Sequence, residues 1–339
     1  MIEGIIWALM AGVMLGLYAL PEKFTKGFEF EHTWGTMFFT ALFVVPVIAC
    51  FSLIQGFGAV LGAIPTDVLI KMAIASLLWG VGVMMWGKAI NHIGLSLGFS
   101  LFIGTIILVG SLIPFFVVGL PASNVLTTIL GGIFIVLIGV FANGKAGLLR
   151  QAEEDNAAKE ADSTSEKGSM TTGILIAVIG GLLATGFSYA NAVGAPIITE
   201  AVVAQGNPEW MSALAVMFII YVAGGLFVVP YFVVQLSQKG LWGKFSSAPL
   251  GKNLTMTTIM AVLNFAASAA FAFAAFKLGK AGGTVGYAIF NTISVAVAIV
   301  SGLVTGEWVK ASGKAKGFLY IGLASMIIGV VVVAVGNGL

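Results

Sequence analysis

The chain has 339 residues, of which 59% are hydrophobic and 9% charged, and its net charge is +2. A soluble domain carries nearer ~25% charge, so an ordinary water-soluble fold is excluded, and +2 makes no electrostatic case for nucleic acid. The single cysteine, Cys50, rules out an internal disulfide or a cysteine-based metal site. It reads as a small buried apolar residue.

The hydrophobic residues fall in long runs. A bilayer core of about 30 Å needs roughly 20 residues of helix rising ~1.5 Å each, and backbone in lipid must pair internally. Ten runs qualify, at about 4–22, 36–54, 69–90, 94–118, 125–143, 172–192, 211–235, 255–276, 284–304 and 318–336. The predicted fold is therefore all-α, with ten transmembrane helices. Met1-Ile2-Glu3 has no basic residue and leads into unbroken apolar sequence, so the first run is expected to be a retained helix, not a cleaved signal.

Loop charges predict sidedness. Lys23, Lys26, Lys88, Lys145, Arg150, Lys159, Lys167, Lys239, Lys244, Lys252, Lys310, Lys314 and Lys316 follow odd-numbered spans; Lys71, Lys277 and Lys280 lie on the other side. The positive-inside rule puts the first group in the cytoplasm and both termini outside the cell membrane.

One polar stretch, Lys145 to Ser169, interrupts the pattern and reads as a flexible cytoplasmic linker. It divides the chain into a first five-helix half (1–143), a linker (144–171) and a second half (172–339). Five spans is an odd number, so a second copy would enter from the opposite side. That predicts two inverted repeats, an arrangement found in secondary transporters. Two tight glycine-rich hairpins match it, Gly94 to Gly98 and Gly282 to Gly286, with His92 in the first turn. Gly12/Gly16, Gly94/Gly98 and Gly302/Gly306 are expected to form close-packing helix faces.

Within the spans, polar and aromatic residues are candidates for a solute site. Ser76, Trp79, Val83 and Trp86 share one face of span 3, with the two tryptophans as cavity walls or, for Trp86, an interfacial anchor. Tyr287, Asn291 and Ser294 form a stripe in span 9, and Asn264 with Ser268 a pair in span 8. Ser188, Tyr189 and Asn191 stand before Pro196, near an expected helix break, and Ser100 lies on a serine-bearing face of span 4. Each polar residue has a plainer reading as an interhelical or self-helix hydrogen bond. No Asp or Glu lies mid-span. Glu22 either exchanges protons with a cavity or pairs with Lys23 at a helix end; Glu307 is expected to be interfacial. Lys88 either snorkels or meets an anionic substrate. No phosphate loop, metal cluster or nucleophile–base pair is present, so no enzymatic activity and no cofactor are expected.

Trp79-Gly80-Val81-Gly82, Gly87, Gly94-Leu95-Ser96-Leu97-Gly98, Gly104-Thr105, Val109-Gly110 and Pro114 resemble the L-rhamnose–proton symporter family, of the drug/metabolite transporter superfamily. Tyr18-Ala19 to Pro21, Lys23, Glu31 and Trp34 are similar too, as is Gly302-Leu303 with Glu307-Trp308. The resemblance implies ten helices in two inverted five-helix halves and proton-driven import of a deoxy sugar or related monosaccharide. The two predicted halves fit a secondary transporter of the inner membrane that works by alternating access, with sodium as the alternative coupling ion, and a chain with both halves can act as a monomer. Tyr18 joins the candidate substrate residues through the resemblance. Val83, Met85 and Trp86 depart from the family's expected asparagines and tyrosine, which also leaves open an exporter of amphipathic metabolites or drugs.

Overall fold

The structure, a computed structural model, describes residues 2–159, 169–279, 282–306 and 308–336. Lys167, Lys280, Glu307 and the later part of the expected linker lie outside the described residues. Ten of the helical segments are long and apolar enough to cross a membrane. The described residues contain no strand.

The first span is α1 (Ile2–Leu17), continued by a 3-10 turn at Leu20–Phe24. The second is α2 (Phe30–Phe39), a π turn at Thr40–Val44, and α3 (Val45–Leu53). It starts six residues before its predicted position. Glu29, Glu31 and His32 hid that start from a hydropathy reading, yet Glu29 and His32 form a reciprocal capping box. A short α4 (Phe57–Ala63) was not expected.

Span 3 and the start of span 4 carry helical hydrogen bonding throughout, as α5 (Thr66–Thr105), followed by a π turn at Ile106–Gly110 and α6 (Ser111–Val118). This is not one rod. Trp86 stacks on Phe102 with ring centroids 6.1 Å apart, whereas sixteen residues of straight helix would separate them by ~24 Å. The chain therefore reverses between these residues without losing helical hydrogen bonding. His92 has helical backbone, with Nδ1 3.0 Å from the Lys88 carbonyl, and does not sit in an open loop.

Span 5, α7 (Ser123–Lys159), runs sixteen residues past its predicted end. The polar stretch after Lys145 is thus helical to Lys159, a correction to the flexible-linker expectation. Tertiary contacts hold its exposed polar sequence. Ala146 is buried with Trp308, Ala311 and Leu319, Arg150 lies over the Trp308 ring at 4.8 Å, and Glu153 Oε2 accepts from the Ser312 amide at 3.0 Å.

In the second half, span 6 is split into α8 (Met170–Ala184) and α9 (Gly186–Ala204). The break falls at Thr185, not at Pro196, which α9 carries inside it. Gly186 passes so close to Ala75 that a Cβ would stand 2.1 Å from its carbonyl oxygen. Then follow α10 (Ser212–Gln238), a short α11 (Lys244–Ser247), α12 (Leu250–Leu278), α13 (Gly282–Val304) and α14 (Gly313–Gly336). Gly306 lies beyond α13 with φ +84°, so it is a turn residue and not part of a Gly302/Gly306 helix face.

Packing interleaves the two halves. α1 fits between α12 and α13, α8 against both limbs of α5, and α14 along α7. Glycines make these crossings. A Cβ on Gly12 or Gly16 would stand 2.6 Å from Ile293 or Val297 of α13, and one on Gly180 2.9 Å from Met85. The larger core joins α2, α3 and α5 to α9, α10 and α12; a second joins α6 and α7 to α13 and α14. α10 is central, with 67% of its most apolar stretch buried against 22% for α1.

Candidate solute cavity

A cavity of about 600 Å³ opens between α1, α2, α5 and α10. It lies within the ~300–1,000 Å³ range of small-molecule sites. Tyr18 and Glu22 come from the end of α1. Pro21, at the head of the 3-10 turn, cannot continue an α-helix pattern, and the tighter turn swings Glu22 inward. Asn253 of α12 fixes the following loop, its side chain exchanging two hydrogen bonds with the Lys26 backbone at 3.0 and 2.9 Å.

The second wall is α2. Phe30, Glu31, Trp34 and Phe38 line the cavity, and Trp34 packs edge-on against Tyr18 at 5.9 Å. The Trp34 indole N–H donates to Glu22 Oε1 at 2.8 Å. Glu22 is half-buried, and this neutral donor holds it in the cavity, while Lys23 reaches out to Thr305 at 2.9 Å.

The third wall is Val83, Met84, Trp86, Gly87 and Lys88 of α5; the fourth is Tyr231, Phe232 and Gln235 of α10 with Lys239 just past its end. Two ion pairs bolt the start of α2 to the end of α10 and to α11. Lys239 pairs with Glu31, and Lys244 with Glu29. The Lys244 ammonium holds the Glu29 carboxyl below the usual carboxylate range, and the hydrogen bond to Glu31 raises Lys239 above the ordinary lysine value. His32 accepts the Glu29 amide at Nδ1 (3.1 Å), which assigns the proton to Nε2, 2.9 Å from the Leu241 carbonyl. The cavity mouth thus lies at the end of the bundle that carries Lys23, Lys239 and Lys244.

Away from this mouth, aromatic rings close the bundle. Trp79 packs on Phe187 and Tyr221 at 5.6 Å each, and Phe271 on Tyr287 at 5.5 Å and Phe290 at 5.1 Å.

Of the candidates named from sequence, the cavity wall gathers Tyr18, Glu22 and Trp86, and with them Val83 and Lys88. Trp79 belongs to the aromatic layer. Ser76 is fully buried and donates to the Met72 carbonyl of its own helix at 2.6 Å. Asn264 accepts from the Tyr221 hydroxyl at 2.9 Å, and Ser268 meets the same hydroxyl at 2.6 Å. Asn291 donates to the Tyr287 carbonyl at 2.9 Å; both are buried, as is Ser100, while Tyr189 is half-buried against the larger core. Asn191 is buried in α9. None of these nine lines the cavity.

The α10 wall was missed from sequence altogether. Its signal was present: Tyr231, Gln235 and Lys239 are spaced by four, a polar stripe on one helix face. The aromatic face Phe30, Trp34 and Phe38 repeats at four as well.

Ten apolar spans interleaved around a half-open cavity with aromatic, carboxylate and ammonium groups define a multi-pass membrane protein of the transporter class. The family model described as L-rhamnose-proton symport protein (RhaT) matches residues 1–339, and the chain belongs to that family. It is 24% identical over 346 residues to a Yersinia pestis bv. Antiqua (strain Antiqua) protein named L-rhamnose-proton symporter, covering 99% of this chain and 98% of that one. A protein of the same name from Yersinia pseudotuberculosis serotype O:3 (strain YPIII) is similar at 24% over 347 residues, with the same coverage.

Proposed function

We propose that this chain imports a monosaccharide, rhamnose or a related deoxy sugar, together with a proton, by alternating access. The observation that carries the reading is the cavity itself. Tyr18, Trp34 and Trp86 offer rings to the faces of a sugar, and Gln235 and Tyr231 offer hydrogen bonds to its hydroxyls. The names of the relatives and the whole-chain family match support the same substrate and ion.

Glu22 is the coupling carboxylate in this reading. Glu31 is committed to Lys239, whereas Glu22 has a neutral hydrogen-bond partner and can take up a proton without breaking an ion pair. Trp79, Asn264, Tyr287 and Asn291 join the solute path when the aromatic layer parts. The matched pairing of α1 with α12 and α13, and of α8 with the two limbs of α5, supports the inverted repeat and a rocking of one half against the other. The mouth faces the cytoplasm of the inner membrane, with both termini outside, on the argument of loop charge. One chain carries the whole cavity and works as a monomer.

The test is uptake by purified protein in sealed vesicles at an imposed pH gradient, with labelled L-rhamnose and a panel of other monosaccharides. Accumulation that collapses with a protonophore supports the reading; no uptake of any sugar under any gradient refutes it. A second reading, an exporter of amphipathic metabolites or drugs, draws on the apolar departures at Val83, which lines the cavity, and Met85, which does not. Resistance to lipophilic compounds on overexpression, without sugar uptake, would favour it.

A further inference from the structure

We propose that the joint of α6, α9 and α13 binds a monovalent cation, with sodium as the fitting ion, at a site separate from the carboxylate-bearing cavity. The starting point is Pro114. It has no N–H for the carbonyl four residues back, and that carbonyl, Gly110, accepts instead from Ser188 Oγ of α9 at 2.7 Å. The next residue, Ser111, is fully buried, and its Oγ has no hydrogen-bond partner. One turn beyond Ser188, Asn191 is 4% exposed and its Oδ1 is also unpartnered.

The third helix closes on the same spot. A Cβ on Gly110 would stand 2.5 Å from Tyr287 Cε1, and one on Gly283 3.0 Å from Pro114. One turn before Tyr287, Thr284 is fully buried with Oγ1 unpartnered. The three helices that meet around Gly110 and Pro114 thus each carry, within a turn of that meeting point, a buried oxygen without a partner. Pro196 likewise leaves the carbonyl of Ala192, next to Asn191, without a helical donor.

Buried polar atoms are almost always paired, and at membrane depth bulk water cannot satisfy them. A hydroxyl can turn to donate elsewhere; the amide oxygen of Asn191 can only accept, so its partner is a donor or a cation. The donor set is all oxygen and all neutral. Hard cations take such ligands, and all-protein sites for divalent ions add carboxylates; no carboxylate among the described residues is paired with any of these groups. Interrupted helices in membrane transporters coordinate sodium through freed carbonyls. Here the π turn before α6 and the break at Thr185 before α9 are such interruptions. The site does not depend on which solute is carried.

The experiment is thermal unfolding of the purified full-length protein in lipid nanodiscs, titrated with sodium, potassium or choline chloride at constant ionic strength and fixed pH. A ligand of the folded state gives a saturable rise in melting temperature. The expected result is such a rise with sodium, a smaller one with potassium and none with choline. Asn191→Ala and Thr284→Val should each raise the half-effect sodium concentration about tenfold or more, whereas Glu22→Gln should leave it unchanged. Identical curves in sodium and choline overturn the proposal and assign the joint to a buried water. So does an undiminished sodium shift in the Asn191→Ala, Thr284→Val double variant. If those variants do not fold, Ser111→Ala, which removes only a hydroxyl, takes their place. Proton-driven sugar uptake is measured without sodium, so the two readings fail separately.

Discussion

The crossing of α5 and α10 sets the width of the cavity, and Gly80 is where it can be tested. An alanine Cβ at Gly80 would stand 2.7 Å from the Gly224 carbonyl oxygen of α10. Ordinary contact begins at 3.4 Å, so the two helices must part by about 0.7 Å. The obstacle is backbone, and no rotamer change relieves it. Gly87 lies two turns further along α5, and a Cβ there meets nothing within 4 Å. Both Gly→Ala changes gain about 0.5–1 kcal/mol of helix propensity. Only Gly80→Ala also incurs overpacking, about 1–3 kcal/mol. The net expectation is a loss of about 0–2.5 kcal/mol for Gly80→Ala and a gain of up to about 1 kcal/mol for Gly87→Ala. Because Val83, Met84 and Trp86 move with α5, and Tyr231 and Gln235 with α10, Gly80→Ala should also raise the KM for uptake. Denaturant unfolding in mixed micelles gives the first quantity and vesicle uptake the second. Gly80→Ala as stable as Gly87→Ala would refute the close crossing.

Three further outcomes are expected. Glu22→Gln should abolish accumulation driven by a pH gradient while leaving counterflow exchange of solute, and equal loss of both would remove Glu22 from coupling. Lys239→Met should destabilise more than Glu31→Gln. The Glu31 side chain is 11% exposed and that of Lys239 51%, so losing the lysine strands a buried charge; the double variant should recover much of the loss, as a double-mutant cycle on melting temperature would show. The third concerns pH. Glu29 is depressed by Lys244, so its contribution is present above the unfolded carboxylate value and fades as pH falls through the lower folded value. Lys239 is raised by Glu31, so its contribution is complete below the unfolded lysine value and fades as pH rises through the higher folded one. Glu29 is thus charged above about pH 5 and Lys239 below about pH 10, and melting temperatures of Glu29→Gln and wild type should differ by a constant amount from about pH 5 to neutrality. A difference that vanishes near pH 7 would contradict this.

Hydropathy made the ten spans legible, because lipid demands long uncharged helices and little else competes with that signal. It failed where tertiary contacts pay for polar helix. Glu29, Glu31 and His32 extend α2 through a capping box and ion pairs that no local window registers. The helix after Lys145 persists because Arg150 and Glu153 find Trp308 and Ser312 across the chain. The break of span 6 came at Thr185, where a glycine approaches Ala75, and not at Pro196. For the site, Glu22 and Trp86 were accessible from residue type and depth, and Tyr18 from the family resemblance. Tyr231, Gln235 and Lys239 were not, since a polar stripe at a helix end looks the same whether it meets solvent or a cavity. Only the Glu31 partner from the other half distinguishes the two.

The helical extension of α7 changes what covalent continuity between the halves is needed for. Arg150 on Trp308, Glu153 on Ser312, and the glycine seam that brings Gly132 against Gly329 and Gly139 against Gly322 already join residues 1–159 to the second half without the intervening chain. A polypeptide cut between 160 and 168 would leave two fragments with a large shared interface. Two separately synthesised pieces are therefore expected to assemble in the bilayer, and a dye or isotope placed in one piece would then report on its motion against the other.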